Sequence, residues 1–234
     1  MGMGGNIRNL IAKRAAKEIE NGMVVNLGIG IPSLVPNHLP ENIHVFFQAE
    51  NGILGMGSTP LPGEENENLC NAAGYPVSVR PGASYFDSAL AFGMIRRGKL
   101  DITILGSLQV SEKGDLANWI VPGKRVPGMG GAMELSQKAK KVIVLMSHTD
   151  KFGNSKVVKS CSLPVTTPDC VNMIITDLAV FEIKKDVMLL TELMPGVNLE
   201  QVKEKTEATF TLSPAIYNGS NLMDGKGGMR WNRN

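Results

Sequence analysis

The chain is poor in several things, and each shortage closes off a class of protein. Aromatic residues make up only 5% of its 234 residues, too few for the stacking platforms that hold single-stranded nucleic acid. The formal net charge is +2, which offers no basic face to a phosphate backbone, so nucleic acid is not expected as a partner. Cys70, Cys161 and Cys170 form no CxxC pair. An odd count without such pairs fits free thiols in a reducing compartment rather than a disulfide framework. No Cys/His cluster has the spacing of a zinc site, so no metal is expected. The first ten residues, MGMGGNIRNL, lack the apolar core of a secretory signal. Asn6 stands where a myristoylation pattern needs Ser or Thr. No run approaches the roughly 18 apolar residues of a spanning helix. The expectation is a cytoplasmic protein that does not enter membranes, and the Asn218-Gly219-Ser220 sequon is read as chance.

What is present points to a globular α/β protein. Hydrophobic residues are 43% and charged residues 20%, enough to bury a sizeable core. Residues 6–213 are read as one domain, followed by a basic, Gly/Asn-rich tail over 214–234 that is expected to be mobile or bound to a partner. The spacing of Ile7, Leu10, Ile11, Ala15 and Ile19 predicts an amphipathic helix over 6–21. Apolar runs predict strands at 23–27, 43–48, 100–106, 141–146, 172–183 and 187–193. Helices are predicted over 84–98, with Phe86, Leu90, Met94 and Ile95 inward, and over 198–208, capped by Asn198 with Gln201 three residues on. Residues 107–131 read as one long irregular stretch, of the kind that is functional or disordered. Strands alternating with helices imply an open, mostly parallel sheet flanked by helices, with ligands at the carboxyl ends of the strands.

Several short motifs invite functional readings that the residues restrict. GIGIP, residues 28–32, is no dinucleotide fingerprint, because Ser33 stands where the third glycine belongs. It is either a tight turn or a loop whose N–H groups face a ligand, with Asn26 beside it. PGKR, residues 122–125, is no Walker A loop. Lys124 and Arg125 there meet a phosphate-bearing ligand or simply line a solvated loop. GMGGAMEL, residues 128–135, runs glycines into a helix start, suited either to an oxyanion or to close packing. His38, His44 and His148 share no ligand spacing, and no GxSxG occurs for a serine nucleophile.

One stretch stands apart. In FFQAENGILGMG, residues 46–57, an apolar strand is read as ending at two phenylalanines and delivering Glu50 into a loop with Gly52, Gly55 and Gly57. A lone acid there is costly unless paired or used. The small Ala49 and the glycines leave room for a bulky group, and a carboxylate can serve as a covalent nucleophile.

Taken together, NLGIGIP, AENGILGMG, RPGASYFDSALAF, LANWIVPGKRVPGMGGAMEL and TDLAVF closely resemble the β subunit of family I CoA-transferases, the 3-oxoacid and acetate/acetoacetate type. The resemblance runs from about residue 7 to 210. It departs from the family pattern at Ala49, where Ser precedes the Glu-Asn-Gly, and at Ser107, where relatives carry Gly. It implies that Glu50 attacks an acyl-CoA thioester and carries CoA as a glutamyl thioester in a ping-pong exchange with a second carboxylic acid. It implies oxyanion and acyl or CoA contacts at Asn26, Gly28, Gly30, Gln109, Gly130 and Gly131, with Asn51 beside the nucleophile and Lys124 near the CoA phosphates. It implies coenzyme A as substrate with no permanently bound cofactor, and an α-subunit partner in an α2β2 assembly. A sugar-phosphate isomerase of the same fold and a non-catalytic binding module are the rival readings.

Overall fold

The computed structural model describes residues 4–217 except 124, 125, 127 and 186. In chain order the elements are α1 Gly5–Ala16, β1 Val24–Leu27, a 3-10 helix Pro32–His38, β2 Phe46–Ala49, β3 Ile53–Met56, β4 Val79–Tyr85, α2 Ser88–Arg96 and β5 Ile102–Gly106. There follow β6 Gln109–Ser111, β7 Leu116–Ala117, α3 Ala132–Lys138, β8 Lys141–Leu145, β9 Val157–Val158, β10 Met173–Ile175, β11 Ala179–Lys184, β12 Val187–Leu193, α4 Leu199–Lys205, β13 Thr211–Leu212 and α5 Pro214–Tyr217. The sequence reading treats 6–213 as one domain. The chain divides into two compact units, one from Gly4–Gly106 and Gly128–Leu145, the other from 107–126 and from Met146 onward.

The first unit is an open sheet in the order β8-β5-β1-β2-β3-β4. Its first four strands are parallel, and β3 and β4 extend it antiparallel. β5 and β8 are mostly apolar and buried, as parallel strands covered on both faces must be, while β1 buries Val25 and the polar Asn26. Helix α1 packs on β8 and the 3-10 helix, while α2 and α3 pack on each other and α3 on β5. Arg14 and Lys141 both bind Glu18, at 2.7 and 2.8 Å. Burial acts to raise the Glu18 pKa, but the two cations outweigh it and hold the carboxyl below its ordinary value.

The second unit holds an antiparallel ribbon β10-β11-β12, with β13 added parallel to β12, and a three-stranded sheet β7-β6-β9. Its buried side chains include Phe181, Ile174, Ile175 and Leu116. Asn198 caps α4 in a reciprocal capping box with Gln201, as the sequence predicts.

Five local expectations are corrected. Helix α1 ends at Ala16, not Asn21, and Ile7 on its inward stripe is 40% exposed. The 84–98 helix is shorter, and Leu90 faces solvent while Ala91 is buried. Residues 172–183 form two strands, because Thr176 accepts from the N–H groups of Leu178 and Ala179 and turns the chain. The stretch 107–131 is not wholly irregular, since β6 and β7 lie in it. Finally, the glycines after Glu50 are not a ligand loop. Residues 53–56 form β3, which folds back on β2 as a hairpin. Gly52 (φ +114°) and Gly55 (φ +99°) are required because this chain's own backbone lies against them. A Cβ on Gly52 would overlap the Phe86 carbonyl oxygen, and one on Gly55 would sit 3.0 Å from Ala83 Cα. Residues 218–234, most of the expected tail, lie outside the described residues.

Candidate active site

Glu50 occupies the turn that joins β2 to β3, just beyond the carboxyl end of β2. The strand pairing places Asn26 of β1 opposite Gln48 of β2. Alternation along β2 then carries Glu50, two residues on, toward the same side as Gln48. Asn26 Nδ2 donates to Glu50 Oε2 at 3.0 Å, to Gln48 Oε1 at 2.8 Å and to the Gln48 carbonyl at 3.1 Å. Thr103 Oγ1, from β5, donates to Asn26 Oδ1 at 3.4 Å. Asn26, Gln48 and Thr103 are fully buried, while Glu50 is half-buried. A half-buried carboxylate thus stands at the edge of a buried polar cluster, with one oxygen held by the Asn26 amide.

Asn51 is exposed, and its Nδ2 donates to the Cys70 carbonyl at 2.8 Å, pinning the loop after β3. The Gly28 N–H donates to the Ile104 carbonyl at 2.8 Å, so that donor is engaged in the fold. A Cβ at Gly28 would lie 3.3 Å from Leu105 Cα, which accounts for glycine there by packing. Gly30 has φ +93°, and its carbonyl accepts from Ser33 Oγ at 2.8 Å. Gly130 is exposed, whereas Gly131 is buried against Phe92 at the start of α3. Gln109 belongs to the second unit, where its Nε2 donates to Ser162 Oγ and its Oε1 accepts from the Ser162 and Leu163 N–H groups. Nearby, Ser107 Oγ lies within hydrogen-bonding distance of the Gln109 and Ala117 carbonyls, a bridge that glycine cannot make. Lys124 lies outside the described residues. Sequence reasoning missed Gln48 and Thr103. The one signal was the polar residue two before Glu50 inside an otherwise apolar strand.

A cavity of about 430 Å³ opens in the first unit, among residues including Arg8, Leu27, Met56, Tyr75 and Val77. Gly30 lines it, whereas Asn26 and Glu50 do not. The cysteines are free thiols. Burial and then Asp115 push Cys161 up to about 11, which leaves it a poor nucleophile. Among the described residues no group of three His, Cys, Asp or Glu side chains could hold a metal, and no helix is long and apolar enough to cross a membrane.

The first unit is thus an open α/β sheet with one carboxylate held just beyond the end of a parallel strand. Residues 8–205 match the coenzyme A transferase family, and the chain belongs to it. The chain is 62% identical over 212 residues to the beta chain of a probable coenzyme A transferase of Bacillus subtilis, covering 91% of this chain and 98% of that one. It is 55% identical over 204 residues to one of the subunits of a succinyl-CoA:3-ketoacid coenzyme A transferase of Helicobacter pylori, covering 87% and 98%. Among solved structures, an acyl-CoA transferase apoenzyme from Escherichia coli O157:H7 superposes with TM-score 0.71 at 23% identity, covering 96% of this chain but 44% of that one. The open, mostly parallel α/β architecture is therefore that of CoA-transferases.

Proposed function

We propose that this chain is the β subunit of a 3-oxoacid-type CoA-transferase and carries its nucleophile, Glu50. The supporting observation is the Glu50 carboxylate held by the buried Asn26 amide at the strand ends. In the first half-reaction a Glu50 oxygen attacks the acyl carbon of an acyl-CoA such as succinyl-CoA or acetyl-CoA. The C–S bond breaks, leaving an acyl-glutamyl anhydride and CoA thiolate. The thiolate attacks the Glu50 carbonyl carbon, the free acid leaves, and Glu50 holds CoA as a thioester. A second acid such as acetoacetate attacks that thioester through its carboxylate oxygen, giving a new anhydride and thiolate. Attack of the thiolate on the acyl side releases the new acyl-CoA and restores the Glu50 carboxylate. Protons balance without an acid or base. Both covalent intermediates hydrolyse in water, so the reaction needs a site that excludes it.

The enzyme is proposed to be incomplete in this chain alone. Its relatives are named as subunits, and this chain spans less than half of the solved acyl-CoA transferase chain it matches. An α chain in an α2β2 assembly accounts for both, and the free thiols fit a cytoplasmic enzyme. The test is mass spectrometry of the chain co-expressed with its α partner, incubated with acetoacetyl-CoA and reduced with borohydride. A mass change mapped to Glu50 is expected. An unmodified Glu50 despite CoA binding would favour a non-covalent enzyme or a binding module. Full turnover by this chain alone would remove the α partner from the proposal.

A further inference from the structure

Among the side chains around Glu50, Gln48 is the one whose hydrogen bonding does not close. Its Oε1 accepts from Asn26 Nδ2 at 2.8 Å, but its Nε2 is buried with no hydrogen-bond partner among the described residues. A fully buried amide N–H2 without an acceptor is destabilising, and it calls for a reason.

The reason lies in the direction of the chain of amides. Glu50 ionised is an acceptor only, so the Asn26 group facing it at 3.0 Å must be N–H2. Turning that amide over would set two oxygens against each other. With Asn26 Nδ2 so placed, its Oδ1 faces Thr103 Oγ1, which donates to it. The same Nδ2 faces Gln48, so Gln48 must present its oxygen. The amide nitrogen is then turned away, into a place that offers it nothing. Glu50 and Gln48 thus orient the Asn26 amide together, and the unpaired Gln48 nitrogen is what that arrangement leaves over.

We propose that Gln48 is a positioning residue for the acylation of Glu50. It holds the Asn26 amide, from the neighbouring strand on the side away from Thr103, in the orientation that aims Glu50 at the thioester. This rests on Glu50 being the nucleophile. Two acceptors on Gln48, its side-chain oxygen and its own carbonyl, grip the nitrogen that also reaches Glu50. Removing the side-chain acceptor leaves the Asn26 nitrogen held by the Gln48 carbonyl and Glu50 alone, so the amide can shift and the carboxylate it holds can move with it. Displacements of about 1 Å at a reacting group can cost 10²-fold in rate.

The test uses the co-expressed complex, with acetoacetyl-CoA as probe and borohydride-reduced Glu50 as readout in single turnover. Gln48→Met keeps the volume but supplies no acceptor. Its acylation rate is expected to fall about 10- to 100-fold, with acetoacetyl-CoA affinity unchanged and the melting temperature unchanged or raised. Thr103→Val is expected to move the rate in the same direction by less, and Thr103→Ser to restore it. If Gln48→Met does not assemble, the Thr103 pair decides. Wild-type acylation rates in Gln48→Met or Thr103→Val would overturn the proposal. So would a rate loss matched by loss of the folded complex. Absence of the adduct in the unmodified complex would instead remove the reading of Glu50 itself.

Discussion

The two units each bury a polar cluster, and they treat it in opposite ways. In the second unit His148 is fully buried, with Nδ1 3.0 Å from Thr176 Oγ1 and Nε2 3.0 Å from Thr206 Oγ1. Its backbone N–H donates to Asp177 at 2.7 Å. Every polar atom of that side chain has a partner, and the cluster closes on itself. In the first unit, the Asn26–Gln48–Thr103 cluster ends at a half-buried carboxylate and leaves one nitrogen unpaired. A closed cluster fixes architecture and asks nothing of a ligand. An open one keeps a carboxylate oxygen at its edge, within reach of another molecule.

That contrast can be broken at several points. The largest effect is expected at the open end. Glu50→Ala should lower turnover by about 10⁴-fold or more while leaving the melting temperature of the complex near its original value. Steady-state kinetics and thermal unfolding on the same preparation check both halves. Next comes the turn that carries Glu50. Gly52→Ala sets a Cβ on the Phe86 carbonyl at φ +114°, so it should lose at least about 3 kcal/mol of stability in chemical denaturation and take activity with it.

The closed cluster should instead reveal itself through pH. Burial first, and then nearby lysines against the opposing pull of Asp177, lower the His148 pKa from 6.5 to about 4. Between those values the unfolded chain takes up a proton that the folded chain refuses, so stability is full above pH 6.5 and falls toward pH 4. The loss is on the order of 3 kcal/mol, and denaturation series at pH 7 and pH 4.5 should differ by much of it. In His148→Leu that part of the pH slope should vanish. Smallest is the α4 cap. Asn198→Ala should cost about 1 kcal/mol with activity per folded molecule unchanged, since the capping box lies within α4 itself.

The sequence spoke most clearly where one interaction dominates. Continuous apolar runs marked β1, β5, β8 and β12, and Asn198 with Gln201 marked the start of α4. It spoke least clearly where residues serve two ends. Glycine at 52 and 55 looks like freedom for a ligand, yet the crowding comes from the chain's own residues 83 and 86. Strand β4 went unseen because Pro81 and Gly82 interrupt it. Thr176 and its neighbours hide a turn inside an apolar run, because the hydroxyl supplies the bonds that glycine or proline usually make unnecessary. Glu50 stood out because a charge beside a buried strand is rare. Gln48 and Thr103 did not, since a polar side chain in a strand reads as facing water until the pairing of β1 with β2 puts Gln48 against Asn26.

Strand β4 also bears on how the chain survives before it meets other molecules. It stands last in the strand order of its unit, where a row of bare peptide groups would invite another copy to add on. Pro81 removes one N–H from that row, Gly82 at φ +86° bends the backbone out of line, and Arg80 adds a charge. Such a broken border is poor ground for strand-on-strand aggregation. Two copies of the chain therefore have little regular backbone along this border through which to join.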